Sequence, residues 1–263
     1  MEADQNNKAW NNGVYQAWIN RFGTAEEAAK KIMEDPRKRV GSVLTYMGEK
    51  VQGKKIINLL GSNGNKAVAL SLLGANVTVV DFSNENEVYA KELAQHSGVQ
   101  LRYIVSDVLK MPEEELTGDY DIVFMEFGIL HYFIDLHPLF QLVSKLLKEN
   151  GRLVLQDFHP VSTKLISSRG TTAKIRKHKV TGNYFDTSLE EKEVSHSKYL
   201  DPNDKNPIMH KVFLRNWTLG EIVTSIADEG LFIKTLEELP NQSSEVFDQG
   251  IPKTYTVVAE KRH

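Results

Sequence analysis

The sequence predicts an α/β protein: a doubly wound, mostly parallel seven-stranded sheet with a C-terminal antiparallel hairpin, an N-terminal helical cap and an insertion after the fifth strand. Three observations carry that expectation. Short apolar runs alternate with helical stretches over residues 55–157, the pattern that stacks helices on both faces of a parallel sheet. The first of these runs passes through Gly61 and Gly64 straight into a helix. Two strand-like runs end the chain, close enough together to pair antiparallel.

In chain order, residues 1–8 are polar and rich in Asn and are expected to fray. Trp10, Val14, Tyr15, Trp18 and Ile19 then present an apolar face at helical spacing. Thr24 followed by Glu26 and Glu27 opens a second helix, and Pro36 ends it or starts the next, over residues 37–51, before Gly53. Residues 56–60 form the first strand, 66–73 a helix, and 77–80 a β-branched second strand that ends in Asp81. A helix over 85–96 leads to a third strand, 101–105, closed by Ser106 and Asp107. Residues 121–126 read as a buried fourth strand, 139–148 as a helix stopped by Asn150 and Gly151, and 152–157 as the fifth strand. The rhythm breaks over 161–214, with polar turns at Gly170, Gly182 and 201–207. A helix over 218–229 ends at Gly230, and residues 232–239 and 254–260 are the closing strands.

A chain of 263 residues, 41% hydrophobic, supports one large core. Its net charge of -3 provides no global attraction to nucleic acid or to an anionic membrane, so small-molecule work is expected. The absence of cysteine excludes disulfides, thiolate metal sites and cysteine nucleophiles, and fits the reducing cytoplasm. The N-terminus is polar, and no run of about 18 uncharged apolar residues offers a membrane span. The basic run 174–179 and the acidic triplet 113–115 read as solvated faces. His131, Asp135 and His137 match no common ligand spacing, nor does the pair Asp157 and His159, so no metal is expected.

The turn Gly61-Ser62-Asn63-Gly64 lets backbone N–H groups approach a ligand, because glycine removes the Cβ that would block it. Asp81 ends the second strand about 17 residues later, where doubly wound folds set a carboxylate against a ribose diol. Asp107 ends the third strand at the same edge, placed either to meet the amino group of adenine or to cap the next turn. Residues 127–133 and 156–160 follow the fourth and fifth strands and reach that edge too. Histidine titrates near neutral pH, which makes His131 and His159 the candidate bases; a hydrogen-bonded structural histidine is the other reading of each.

Residues 56–81, then Ser106-Asp107-Val108, then Tyr120-Asp121-Ile122-Val123-Phe124-Met125-Glu126 resemble the class I S-adenosylmethionine-dependent methyltransferases, over residues 54–157. In that family the first loop reads acidic-x-Gly-x-Gly-x-Gly. Those four places here hold Asn58, Leu60, Ser62 and Gly64, so only the last glycine is in register, and Asn58 lacks the charge that helps to hold the methionine ammonium. The resemblance implies that Gly61, Ser62, Asn63 and Gly64 run along the methionine part of the cofactor, Asp81 holds the ribose and Phe82 flanks adenine. Ser106, Asp107 and Val108 would frame the adenine edge. Glu126 and Phe127 would sit beside the sulfonium, with Glu126, His131 and His159 as the catalytic candidates. Trp10, Tyr15 and Trp18 would fold over the cofactor as a lid or pack on the sheet, while Tyr184-Phe185, His210 and Arg215-Asn216-Trp217 would shape a substrate pocket.

The implied reaction moves a methyl group from S-adenosylmethionine to an O, N or C atom of a small molecule by in-line displacement and leaves S-adenosylhomocysteine. The chain then divides into a cap or lid (1–53), a Rossmann-like cofactor core (54–160), a substrate-side insertion (161–214) and a helix with hairpin that completes the core (215–263). A non-catalytic cofactor-binding protein is a second reading. A nicotinamide-dependent oxidoreductase is a third, opposed by a Gly61-x-x-Gly64 spacing that is not Gly-x-Gly-x-x-Gly.

Overall fold

A computed structural model of the chain describes residues 2–48, 50–169, 177–200, 211–241 and 250–262. The apolar face expected near the N-terminus spans two helices, α1 (Glu2–Trp10) and α2 (Val14–Phe22), because Gly13 between them takes a left-handed φ of 75°. Residues expected to fray are helical from Glu2 onward. The reason is a long-range dock: buried Asn6 donates its Nδ2 to the Phe213 carbonyl (3.3 Å) and accepts the Phe213 N–H at its Oδ1 (3.0 Å). Thr24 and Glu27 form a reciprocal capping box that starts α3 (Ala25–Glu34). Pro36 opens α4 (Pro36–Val40), capped by Asp35. The helix expected over 37–51 is broken at Gly41 (φ 77°), and only α5 (Val43–Tyr46) follows.

Strand β1 (Lys55–Leu59) buries Ile56, Ile57 and Leu59 completely, so both its faces need a cover of helices. It pairs in parallel with β2 (Asn76–Asp81), reached through α6 (Asn65–Leu72). Helix α7 (Asn84–His96), capped by Ser83, leads to β3 (Arg102–Val105) beside β2. On the other side of β1 lies β4 (Tyr120–Glu126), followed by α8 (His137–Leu146) and β5 (Leu147–Phe158). The helix stops two residues earlier than expected because Leu147 is already extended (ψ 136°).

The insertion holds two antiparallel hairpins, β6 (Ile166–Arg169) with β7 (Lys177–Val180) and β8 (Leu189–Glu193) with β9 (Lys211–Arg215). Val212 and Leu214 of β9 form a small apolar cluster with Val194 and with Ala9 of α1. The turns expected at Gly170 and 201–207, His210, and residues 174–176 of the basic run lie outside the described residues.

After α9 (Leu219–Asp228), which opens with a Thr218–Glu221 capping box, β10 (Leu231–Leu239) and β11 (Thr254–Lys261) pair antiparallel, and β11 runs antiparallel to β5. The seven-stranded order is β10-β11-β5-β4-β1-β2-β3. One apolar cluster joins α2, α3, α6 and α7 to one sheet face through residues such as Ile56, Val79 and Phe124. The other joins α8 and α9 to the opposite face through Ile57, Met125 and Leu155. Strand order reverses between β1 and β4, so the carboxyl ends of these strands part there and leave a crevice. Among the described residues no helix is long and apolar enough to cross a membrane.

Candidate active site

The turn after β1 is left-handed at Leu60 (φ 50°), Ser62 (φ 48°) and Gly64 (φ 72°), the three places where the resemblance calls for glycine. Non-glycine residues in that region cost about 1–2 kcal/mol each, so the turn is strained and has to be held. Holding it are hydrogen bonds from Ser62 N–H to Asp81 Oδ2 (3.1 Å) and from Tyr103 Oη to the Ser62 carbonyl (2.9 Å). Gly61 serves a different need: a Cβ there would lie 2.8 Å from Asn58 Oδ1 and from a Val79 methyl. Asn58 is buried and donates its Nδ2 to the Phe124 carbonyl (3.2 Å). Asn63 Oδ1 accepts from the N–H and the Nδ2 of Asn65 at the start of α6 (3.2 and 2.7 Å).

Asp81 is buried at the end of β2. Its Oδ1 accepts from Ser83 N–H (3.0 Å) and Asn86 Nδ2 (3.1 Å), which partly offset the burial that pushes its carboxyl up. Asn86 Oδ1 in turn accepts from the indole N–H of Trp18 at 2.7 Å. The N-terminal segment grips the same loop: Ser83 Oγ donates to the Trp10 carbonyl (2.7 Å), Asn84 N–H to Asn11 Oδ1 (2.8 Å), and the Glu85 carboxylate accepts from the N–H groups of Gly13 and Tyr15.

Trp18 and Tyr15 take the packed arrangement of the two expected. Trp18 is buried in the core, and Tyr15 packs edge-on against Tyr89 with its hydroxyl on Glu92, because α2 lies along α7. Trp10 reaches further and donates its Nε1 to the Tyr132 hydroxyl (3.0 Å). A cleft of about 630 Å³ opens here, lined by Asn6 and Asn7 of α1, Leu60, Val80, Asp81, Phe82, Ser106, Asp107, Val108, Lys110, Tyr132 and Phe133. Asp107 both borders the cleft and caps the next turn, accepting from Leu109 N–H at 3.0 Å.

The loop after β4 carries left-handed Phe127 (φ 48°) and Gly128 (φ 74°). It is anchored by buried Asp157, whose Oδ1 accepts from Gly128 and Phe158 N–H (2.6 and 2.7 Å) and whose Oδ2 accepts from Ile129 and Leu130 N–H (3.3 and 3.4 Å). His131 borders a cavity of about 300 Å³ with Asp157, Thr163, Asn216 and Trp217, and its ring nitrogens have no hydrogen-bond partner among the described residues. His159 differs. Its Nδ1 accepts from Val161 N–H (3.1 Å), so its Nε2 carries the proton and donates to Glu238 (2.5 Å), and the ring is committed to structure.

Glu126 forms an ion pair with Lys66, whose Nζ also donates to the Val40 carbonyl (2.8 Å). The pair borders an open groove of about 1480 Å³ that also takes in Gly41, Ser42, Phe127, Phe158 and Thr254. Burial pushes the Glu126 carboxyl up against the pull of Lys66. In the insertion, Tyr184 accepts from Leu219 N–H (3.1 Å), Phe185 is exposed, and Arg215 lies 3.5 Å over the Trp217 ring. Sequence reasoning brought Tyr132 and Asp157 to this edge within the segments 127–133 and 156–160 without assigning either a role, and it missed Lys66. Asp157 alone had a local signal, an acidic residue ending a strand at the same edge as Asp81 and Asp107.

Burial holds His131 and His159 below their ordinary value of 6.5. Between 6.5 and those lowered values the unfolded chain binds protons that the folded chain refuses, so stability falls as the pH drops through 6.5. From about pH 7.5 to about pH 5.5 the melting temperature is therefore expected to drop less in His131→Phe than in the parent. A drop as large as in the parent would mean that the folded state already accepts the proton at His131.

The strand order, with a carboxylate ending β2 beside a strained strand-to-helix turn and an antiparallel pair closing the sheet, defines a Rossmann-like methyltransferase fold. The profile of the methyltransferase domain family matches residues 50–229; the chain belongs to this family of S-adenosylmethionine-dependent methyltransferases, and S-adenosylmethionine is its cofactor. A demethylmenaquinone methyltransferase of Thermus thermophilus is 29% identical over 109 residues, 41% of this chain and 48% of that protein. A ribosomal RNA large subunit methyltransferase K/L of Shewanella oneidensis is 29% identical over 128 residues, 42% of this chain and 17% of that protein. The chain thus spans less than half the length of these relatives. Magnesium protoporphyrin IX methyltransferase of Synechocystis PCC 6803, crystallised with S-adenosylmethionine, superposes with a TM-score of 0.61 at 14% identity, covering 100% of this chain and 98% of that one.

Proposed function

We propose that the chain methylates an oxygen, nitrogen or carbon atom of a small organic acceptor in the cytoplasm. The observation that carries the reading is the loop after β4. Tyr132 and Phe133 wall the cleft, Leu130 and His131 the smaller cavity, and Phe127 the open groove, so one segment borders both the donor and the acceptor site of this reading. Methyl transfer depends mainly on such alignment.

The donor set fits the cofactor. Asp81 keeps one lone-pair site, on Oδ2, beyond those used by Ser62, Ser83 and Asn86, and it suits one hydroxyl of a ribose. Phe82 and Val108 offer apolar contact to adenine, Ser106 and Asp107 its polar edge, and the turn Gly61-Ser62-Asn63-Gly64 runs along the methionine chain. Bound there, S-adenosylmethionine would supply a methyl group made electrophilic by its sulfonium, with S-adenosylhomocysteine as the product. His131, kept neutral by burial, receives the acceptor's proton at a ring nitrogen. Phe127 and Phe158, with ring centroids 5.1 Å apart, are both partly exposed at the groove and favour an acceptor with a flat apolar surface. The net charge of -3 and the cysteine-free composition support a small metabolite and a reducing compartment.

Likeness to a ribosomal RNA methyltransferase makes RNA the second acceptor to test. Calorimetric titration with S-adenosylmethionine, S-adenosylhomocysteine and NADH is expected to show micromolar binding of the first two alone. Methyl-labelled cofactor then offered with a metabolite extract and with total RNA is expected to label the metabolites. Label in RNA would replace the acceptor class, binding with no label in either would favour a non-catalytic binder, and no binding would sink the reading.

A further inference from the structure

We propose that the Lys66–Glu126 ion pair is the clamp for the amino-acid end of the cofactor: it opens so that Glu126 takes the ammonium and Lys66 takes the carboxylate. This rests on the cofactor reading above and deepens it.

The starting point is a missing charge. Asn58 stands where an acidic residue is expected, and its amide is already used, with Nδ2 on the Phe124 carbonyl and Oδ1 packed against Gly61. The nearest replacement follows from strand geometry. Asn58 pairs with Phe124 in the β1–β4 register, and side chains alternate along a strand. Glu126 is therefore the next β4 residue on the Asn58 face, one step closer to the crevice. Of the other two carboxylates at this edge that are buried, Asp81 is engaged at the end of β2, and Asp157 is surrounded by four backbone N–H groups.

The pair is poorly placed for stability alone. Lys66 sits in the first turn of α6, where the helix dipole disfavours a cation. Both side chains are largely withdrawn from water, 26% and 12% exposed, and a pair so desolvated returns little net stability. A zwitterion set between the two groups gives each charge an opposite partner again, so opening the pair strands neither. The Val40 carbonyl holds the Lys66 ammonium beside Gly41 and Ser42.

The experiment compares S-adenosylhomocysteine with 5′-methylthioadenosine, which has the same adenosine and sulfur but no amino-acid end. By calorimetry, Lys66→Met and Glu126→Gln are each expected to weaken S-adenosylhomocysteine at least 10-fold and leave 5′-methylthioadenosine within twofold. Decarboxylated S-adenosylhomocysteine separates the roles: Lys66→Met should not weaken it, whereas Glu126→Gln should. Lys66→Arg and Glu126→Asp keep the charges and should retain the parent's preference even if the neutral variants unfold. Equal losses for both ligands, or no loss for S-adenosylhomocysteine, overturn the clamp. Failure of the parent protein to bind either ligand would instead reject the cofactor reading beneath it.

Discussion

Asp157→Asn is expected to lower the melting temperature by about 6–12 °C, the consequence of losing about 3 kcal/mol. The parent carboxylate accepts four backbone N–H groups with two oxygens, and an ionised acid is the side chain that can do this without presenting a donor. An amide turns one of those oxygens into an NH2 group, which then faces two N–H donors in a site with little water. The loop it anchors also stores strain at left-handed Phe127, so it has little reason to keep its shape once released. Because Tyr132 and Phe133 of that loop wall the cleft, S-adenosylhomocysteine binding should weaken with the fold. Scanning calorimetry and titration read the two effects. An unchanged melting temperature would mean that the N–H groups are satisfied some other way.

The parts of the fold legible in the sequence are those whose burial is local. β1, β2 and β4 are apolar on both faces, and the capping residues Thr24, Ser83 and Thr218 stand directly before the helices they start. β8 reads Leu-Glu-Glu-Lys-Glu and has no apolar alternation; it is a strand because β9 pairs with it. The Asn-rich N-terminus becomes α1 through Asn6, whose partner Phe213 is far along the chain.

The site divides in the same way. Asp81, Phe82 and Asp107 were findable because strand ends converge on one edge. Trp10–Tyr132 and Lys66–Glu126 were not, since each joins residues from separate elements. The apolar spacing of Tyr15 and Trp18 says that one side of a helix is covered, without saying by what. For the two histidines the deciding partner of His159 is Glu238 on β10, beyond any local pattern.

Asp81→Ala is expected to weaken S-adenosylmethionine and S-adenosylhomocysteine by about 1–3 kcal/mol, roughly 5- to 150-fold. The loss has two sources that must be separated. Alanine removes the acceptor proposed for the ribose, and it also strips a partner from Ser62 N–H, which helps to hold the strained turn, and from Asn86, which Trp18 positions. Loosening of the turn weakens every ligand alike, whereas loss of a hydroxyl acceptor weakens only ligands that carry the hydroxyl. The 2′-deoxy analogue of S-adenosylhomocysteine tells them apart. The parent should prefer the ribose form, and the variant should bind both forms equally. Asn86→Leu leaves the carboxylate but removes its orienting donor, so it should reduce that preference without abolishing it. If Asp81→Ala keeps the full preference for ribose, the carboxylate is a brace for the turn, and the ribose acceptor has to be sought among the other residues that line the cleft.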